Sequence, residues 1–212
     1  MENKKTKKSL IWLIILLCVV LVAAVAVGVL YFAPKDKAPA TDSEKTAEQF
    51  IKAYYTRDRL TMYPMYFYNA RQQWEDGVIK DNGSAEAFFA EAQKQADAKG
   101  IEANVTDFDS YYAAYYRFIQ NDFQNIYGAH TITSEATQVH KLEGDEWTQY
   151  RDRQLGAINA DYIDADALGA VTEAYQITVN LRIDGEKQDF NENYLVYVVL
   201  HEGQWLVVSH SM

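Results

Sequence analysis

The apolar positions of the chain follow three patterns: a continuous run near the N-terminus, helical spacing in the middle and alternation towards the C-terminus. Residues 10–32 form the continuous run, which contains no charged residue. As a helix this run would extend about 35 Å, enough to cross a hydrocarbon core of about 30 Å. Trp12 and Tyr31 lie near its two ends, where amphipathic rings favour the membrane interface. The pattern predicts a cytoplasmic tail at residues 1–9 followed by one transmembrane helix.

The charges that flank the run predict its orientation. Four lysines lie within residues 4–8 and little net charge follows the run, so the N-terminus is expected in the cytoplasm and residues 41–212 outside the cell membrane. A cleaved signal peptide is the alternative, because Ala24-Val25-Ala26 offers a small-residue cleavage site. The run exceeds the roughly 7 to 15 apolar residues of such peptides, which favours retention. Residues 33–40, with two prolines, are predicted to be a short, stiff linker.

Helical spacing is clearest in three segments. Thr41 and Glu44 have the spacing of a capping box, and a stripe with helical period follows them. The stripe consists of Ala47, Phe50, Ile51, Tyr54 and Tyr55. Ser84 is predicted to cap a second helix that ends at Gly100, and residues 109–127 to form a third.

Other segments between residues 60 and 169 have mixed signals. Pro64 interrupts the apolar segment 60–69, which therefore predicts turns or short helical pieces. Residues 130–142 are rich in β-branched side chains and predict a strand. A helix is predicted to follow as far as residue 158, and the composition of residues 159–169 predicts a loop.

From residue 171 onwards the apolar positions alternate, which predicts three antiparallel strands. The expected hairpins pair Ile183 with Phe190 and His201 with Gln204. One sheet face then carries the side chains that the helices are expected to cover: Tyr175, Ile177, Val179, Leu181, Phe190, Tyr194, Val196, Val198, Leu200, Trp205 and Val207. The opposite face is mixed, and an exposed apolar patch on it would indicate an interface for a homodimer or a protein partner. The residues of this candidate interface are Leu195, Tyr197, Val199, Leu206, Val208 and His210.

The exported part resembles the NTF2-like (cystatin-like α+β) superfamily through its N-terminal helix, its C-terminal meander and the closing segment V-V-L-H-E-G-Q-W-L-V-V-S. The segments L-T-M-Y-P, S-A-E-A-F-F-A-E and E-W-T-Q-Y-R-D-R-Q-L are similar to membrane-tethered ectodomains of Gram-positive bacteria. The resemblance implies an α+β fold over residues 41–212, with helices packed on one face of a curved antiparallel sheet around a conical cavity. It also implies that the outer sheet face often forms a dimer.

Composition excludes several classes of function. The formal net charge is −10, and without the four leading lysines and Glu2 the remaining 16 basic and 29 acidic residues give −13. Such a surface repels phosphates, so no nucleic-acid partner is expected. Cys18, the only cysteine, lies in the apolar run, and the four histidines are dispersed, so neither a disulfide nor a metal site is predicted. No nucleotide-binding or hydrolase motif occurs, and no cofactor is predicted.

Aromatic residues supply the candidate ligand site. A tyrosine-rich cavity suits a sugar or a peptide, because the ring offers a stacking face and a polar tip. The candidate cavity residues are Tyr54, Tyr112, Tyr116, Tyr175, Tyr194 and Trp205. The alternative is ordinary core packing, which the helical spacing of the tyrosines also explains.

The sequence therefore favours a single-pass, membrane-tethered extracytoplasmic binding or scaffold module without catalytic activity. It would act on a protein partner or a small ligand at the cell surface. One alternative is a small-molecule hydrolase or isomerase of the NTF2-like type, in which a cavity acid acts as general base. The other is a subunit of an envelope secretion, conjugation or sporulation complex.

Overall fold

A curved, four-stranded antiparallel sheet lies at the centre of the fold, seen in a computed structural model that describes residues 41–158, 160–163 and 165–212. The predicted transmembrane helix at residues 10–32 and the predicted linker at residues 33–40 lie outside the described residues. Within the described part of the chain, no helix has both the length and the apolar content needed to cross a membrane.

The strands follow one another in space as they do in the chain. They are β1 (His130–Lys141), β2 (Glu173–Gly185), β3 (Phe190–His201) and β4 (Gln204–Ser211), in the order β1-β2-β3-β4. The predicted register is confirmed, since Ile183 pairs with Phe190 and His201 pairs with Gln204. Glu202 and Gly203 both have positive φ angles, 48° and 80°, which suits the tight two-residue turn between β3 and β4.

Helices precede β1 and also connect β1 to β2. They are α1 (Asp42–Thr56), α2 (Arg59–Met62), α3 (Ala70–Asn82), α4 (Ala85–Ala98), α5 (Phe108–Tyr127), α6 (Gly144–Ala157) and α7 (Ala165–Gly169), with 3₁₀ turns at Tyr63–Met65 and Ala160–Tyr162. The predicted capping box is confirmed, because Thr41 Oγ1 accepts from the Glu44 N–H and the Glu44 carboxylate accepts from the Thr41 N–H. The segment 159–169, predicted as a loop, instead contains a 3₁₀ turn and α7.

The main core lies between α1 and the sheet. Ala47, Phe50 and Ile51 of α1 are fully buried in one cluster with the inward side chains of β2, β3 and β4. Burial of apolar surface contributes about 25 cal/mol per Å², so this contact stabilises the fold strongly. Glu48 adds polar contacts to β1: its carbonyl accepts from Ser134 Oγ at 2.9 Å, and its Oε1 accepts from the Ala136 N–H at 2.8 Å.

Aromatic rings join α3, α4 and α5. Trp74 of α3 lies 6.1 Å from Phe88 of α4, measured between ring centroids, and 5.8 Å from Tyr111 of α5. Tyr112 is almost completely buried beside Trp74, with ring centroids 5.6 Å apart, and its hydroxyl donates to Glu75 at 3.0 Å. The three helices therefore share one aromatic cluster, which fixes α3 relative to α5.

The opposite face of the sheet is also covered, which corrects the prediction that helices pack on one face only. Tyr150 of α6 is buried, stacks on Tyr197 with ring centroids 4.1 Å apart, and shares a hydrogen bond of 2.5 Å with Ser209. Val199 and Val208 are buried in the same cluster, with 0% and 2% of their surface exposed. The predicted exposed patch is therefore wrong at its centre, because α6 covers it. Tyr197, Leu195 and Leu206 are half-buried.

A β-bulge in β4 moves one residue of the candidate interface to the other face. Tyr197 pairs with Ser209 whereas its neighbour Val198 pairs with Val207, so Val208 is the extra residue. Residues beyond a bulge change face, because the side-chain alternation is shifted by one position. His210 accordingly lies on the α1 side, 5.1 Å from Phe50 between ring centroids. Its predicted place on the mixed sheet face is wrong.

If α6 covers the sheet as described, removing the Tyr150 ring will be costly. We expect Tyr150→Ala to lower the free energy of unfolding by about 3 to 5 kcal/mol, the usual effect of truncating a buried aromatic side chain. Tyr150→Phe keeps the ring and should cost only about 1 kcal/mol for the lost hydrogen bond. Chemical denaturation of the full-length chain measures both. Tyr116→Ala, at an exposed position of α5, is the control, and an equally small effect of Tyr150→Ala would contradict the packing.

Candidate ligand-binding cleft

A cleft of about 540 Å³ lies between the end of α1, the segment 57–68 and α3. This volume is in the range of small-molecule sites, about 300 to 1,000 Å³. The residues that line the cleft are Tyr54, Arg57, Arg59, Met62, Tyr63, Tyr66, Tyr68, Ala70, Gln73, Trp74, Gly77, Val78 and Asp81. Aromatic side chains and two arginines therefore form most of its wall.

Breaks in helical structure create the cleft. Arg57 has a left-handed backbone conformation, with φ of 60°, and ends α1. Asp58 then caps α2, since its carboxylate accepts from the Thr61 N–H at 3.2 Å and from Thr61 Oγ1 at 2.8 Å. Pro64 lies in the following 3₁₀ turn and Asn69 caps α3. Each break changes the direction of the chain, so that side chains from adjacent short elements converge on one space.

Gly77 keeps the α3 side of the cleft open. A Cβ atom built at this position would meet no atom within 4 Å, and its backbone φ is not in the left-handed region. Glycine inside a helix costs about 0.5–1 kcal/mol relative to alanine. No backbone or packing constraint of the described residues requires glycine here, and the absent side chain leaves the space free.

Arg59 is held among aromatic rings on one wall. Its guanidinium carbon lies 4.1 Å from the centroid of the Trp74 ring, 5.3 Å from Tyr115 and 5.6 Å from Tyr112. Cation–π contacts of this kind contribute about 0.5–2 kcal/mol and orient the planar group. Its Nη1 is buried, and no hydrogen-bond acceptor of a described residue reaches it. A buried charged donor without an acceptor is costly, so this position of Arg59 lowers the stability of the fold.

Three tyrosines of the wall, Tyr63, Tyr66 and Tyr68, have raised pKa values. Burial raises the pKa of Tyr66 and Tyr68 above its ordinary value, and it also raises the pKa of Tyr63 against the opposing effect of Arg59. These phenols therefore keep their O–H groups at physiological pH and can act as hydrogen-bond donors. The wall offers flat apolar faces together with neutral and cationic donors.

Only part of the predicted cavity lies at this cleft. Tyr54 lines it, Tyr112 is buried behind it beside Arg59, and Tyr194 packs against Tyr54 with ring centroids 6.4 Å apart. Tyr175 and Trp205 contact each other elsewhere, with ring centroids 5.5 Å apart. Tyr116 lines a separate pocket that also includes Gln120 and His130. Of the six predicted residues, Tyr54 lines the cleft, and Tyr112 and Tyr194 each contact a residue of its lining.

Most of the cleft residues were not identified from the sequence. Arg57, Arg59 and Trp74 belong to no motif, and the tyrosines of the segment 60–69 indicate only an apolar stretch that Pro64 interrupts. One sequence signal was available: two arginines and several tyrosines flank a helix break in a chain that is otherwise strongly acidic. Such a break brings its neighbouring side chains together.

Metal ligands do not cluster in the described residues, which contain no group of three or more His, Cys, Asp or Glu side chains able to hold an ion. His140, one of the dispersed histidines, hydrogen-bonds the Glu146 carboxylate at 2.9 Å. The cleft itself contains one carboxylate, that of Asp81, and no histidine.

Comparison with known proteins gives no relative: no protein-family model, no curated protein and no solved structure matches this chain.

His210 lies behind the cleft, and its titration makes the stability of the fold depend on pH. Its ring lies 4.2 Å from that of Tyr54, between centroids, and its pKa is lowered, mainly by burial and further by the nearby Arg57. His210 therefore binds a proton more readily in the unfolded chain than in the folded one, and stability is lost as the pH falls below about 6.5.

We expect this loss of stability between pH 7.5 and 5.5 to be smaller in His210→Phe and His210→Gln than in the wild type. Thermal unfolding across that range measures it, and an unchanged pH slope in both variants would contradict the assignment.

Proposed function

We propose that this protein is a single-pass, membrane-tethered extracytoplasmic module of the NTF2-like type that binds a small ligand in the cleft between α1 and α3 and has no catalytic activity. Support for the membrane placement comes from residues 10–32 and the lysines before them. Support for the NTF2-like assignment comes from α1 packed on a four-stranded antiparallel meander. The observation that carries the binding function is the open cleft with aromatic walls.

Three properties of the cleft favour binding. Its volume suits a small organic molecule, its rings supply flat apolar contact, and its tyrosine and arginine groups supply donors that fix orientation. Gly77 leaves the space empty at a cost to helix stability, and such a cost is typical of functional sites.

The geometry of the cleft supports catalysis less well than it supports binding. A general base working with a histidine would need both groups in the cleft, and the lining contains only the Asp81 carboxylate. A hydrolase or isomerase would therefore depend on Asp81 alone. A protein partner at the mixed sheet face is also less well supported than a ligand in the cleft, because α6 covers Val199 and Val208 at the centre of that face.

The cleft is tested by filling it. We expect Gly77→Trp to place an indole in the open space and to abolish binding of small aromatic and sugar probes to the full-length chain in lipid nanodiscs. Fluorine NMR line broadening, with a mixture of fluorinated fragments, measures the binding. Gly77→Ala should retain binding and raise the free energy of unfolding by about 0.5–1 kcal/mol.

Gly169→Trp is the matched control, because this glycine also faces open space but lies outside the cleft. It should bind the fragments as the wild type does. The binding function would be refuted if no fragment bound the wild-type chain, or if Gly77→Trp bound every fragment as well as Gly169→Trp.

The membrane placement is tested with a reporter enzyme that is active only outside the cytoplasm. We expect full activity when the reporter follows residue 212 and none when it follows residue 9, because the lysines hold the N-terminus inside. All of the protein should sediment with membranes. A mature form that begins near Val27 and is released into the medium would show cleavage instead of anchoring.

A further inference from the structure

We infer that the ligand of the cleft is an organic oxyanion, a carboxylate or a phosphate attached to a flat apolar group, and that Arg59 binds its charged end with help from Arg57. This inference rests on the proposed binding function of the cleft. It adds the chemical class of the ligand and names the residues that select it.

The first argument comes from how the other arginines are used. Most arginines of the described residues have a carboxylate or carbonyl partner: Arg71 with Glu75 and Asp109, Arg151 with Asp152, Arg182 with Asp184, Arg117 with the Glu102 carbonyl and Arg153 with the Gln149 carbonyl. The guanidinium groups of Arg57 and Arg59 make no hydrogen bond or ion pair with any described residue. Both line the cleft.

The charge of the chain makes this arrangement informative. The protein has 30 acidic and 20 basic residues, so carboxylates are plentiful on its surface. The nearest acidic residue in sequence, Asp58, is already engaged in capping α2 through Thr61. The lining of the cleft combines the two arginines with one carboxylate, that of Asp81, so its formal charge is 2 − 1 = +1. A positive cleft in an acidic protein concentrates ligands of opposite charge.

The second argument comes from the geometry of Arg59. Rings of Trp74, Tyr112 and Tyr115 surround its guanidinium at 4.1 to 5.6 Å, which limits its rotation. A guanidinium stacked on a ring keeps its N–H groups in its own plane, where they match the two oxygens of a carboxylate or phosphate. The Nη1 of Arg59 has no acceptor among the described residues, so the guanidinium lacks the partner that the other arginines have.

The remainder of the wall accounts for the apolar part of the ligand. Tyr54, Tyr63 and Tyr66 present ring surface to the cleft, and Arg57 lies over the Tyr54 ring, 5.0 Å from its centroid. A flat group can stack on these rings while its anionic end reaches Arg59. Arg57 is exposed and lines the cleft, where it adds a second positive charge.

The experiment compares three probes of nearly equal shape on the full-length chain in uncharged nanodiscs: 4-fluorophenylacetate, 4-fluorophenyl phosphate and the neutral 4-fluorophenylacetamide. Fluorine NMR titrations at 150 mM salt measure each dissociation constant. We expect at least one anionic probe to bind about tenfold or more tightly than the amide, since hydrogen bonds to charged groups contribute more than neutral ones. The better of the two anions identifies the carboxylate or the phosphate as the preferred group.

The variants separate Arg59 from general charge. Arg59→Gln should remove the preference for the anionic probe, and Arg59→Lys should restore it only in part, because an ammonium lacks the planar pair of donors. Arg153→Gln changes the net charge equally on α6, outside the cleft, and should leave the preference unchanged. Arg57→Gln, at an exposed position, should reduce the preference even if Arg59→Gln folds poorly.

The outcomes distinguish this inference from the binding function itself. If the amide binds as tightly as both anions and Gly77→Trp abolishes that binding, the cleft binds ligands but the oxyanion inference is wrong. The same conclusion follows if the preference survives in both Arg59→Gln and Arg57→Gln. If no probe or fragment binds the wild-type chain, the binding function fails first.

Discussion

Ala47, Phe50 and Ile51 of α1 lie fully buried on the sheet, and the positions of the cleft residues follow from that contact. Because α1 cannot move relative to β2 and β3 without exposing this apolar surface, its C-terminal end is held in one place. The left-handed residue Arg57 therefore begins the cleft wall at a defined point. A ligand site needs this kind of rigid support, since its donors must be held in position before the ligand arrives.

The cleft combines a rigid frame with several features that locally destabilise the fold. Gly77 weakens α3, the chain breaks twice between α1 and α3, and the Arg59 Nη1 is buried without an acceptor. The aromatic cluster around Trp74 offsets these costs, because it joins α3, α4 and α5 through ring contacts. Stable packing beside unsatisfied polar groups is the usual arrangement of a binding site, and it connects the proposed function to the fold.

Coverage of the second sheet face changes the interpretation of the C-terminal hairpin. The alternation of apolar residues in β3 and β4 fits an interface between proteins as well as a face covered by the chain itself, and α6 decides between them. Tyr150 stacks on Tyr197 and buries the patch within one chain. The bulge at Val208 has a second consequence, because it places His210 beside Tyr54. His210, which was expected at an interface, thus lies behind the cleft.

The sequence alone determined the elements whose signals are local: the capping box at Thr41, the alternation of β2 and β3, and the hairpin pairing of His201 with Gln204. It also carries the whole case for the membrane segment at residues 10–32. Three features follow from tertiary packing: α6 covers the second face, the Val208 bulge redirects His210, and Arg59 meets Tyr115, 56 positions away in the chain. Periodicity reports which side of an element is apolar, whereas contacts between distant elements depend on how those elements pack. The residues that line the cleft all lie between positions 54 and 81. The directions of the short elements that carry them depend on packing against the sheet and α5, which the sequence pattern does not show.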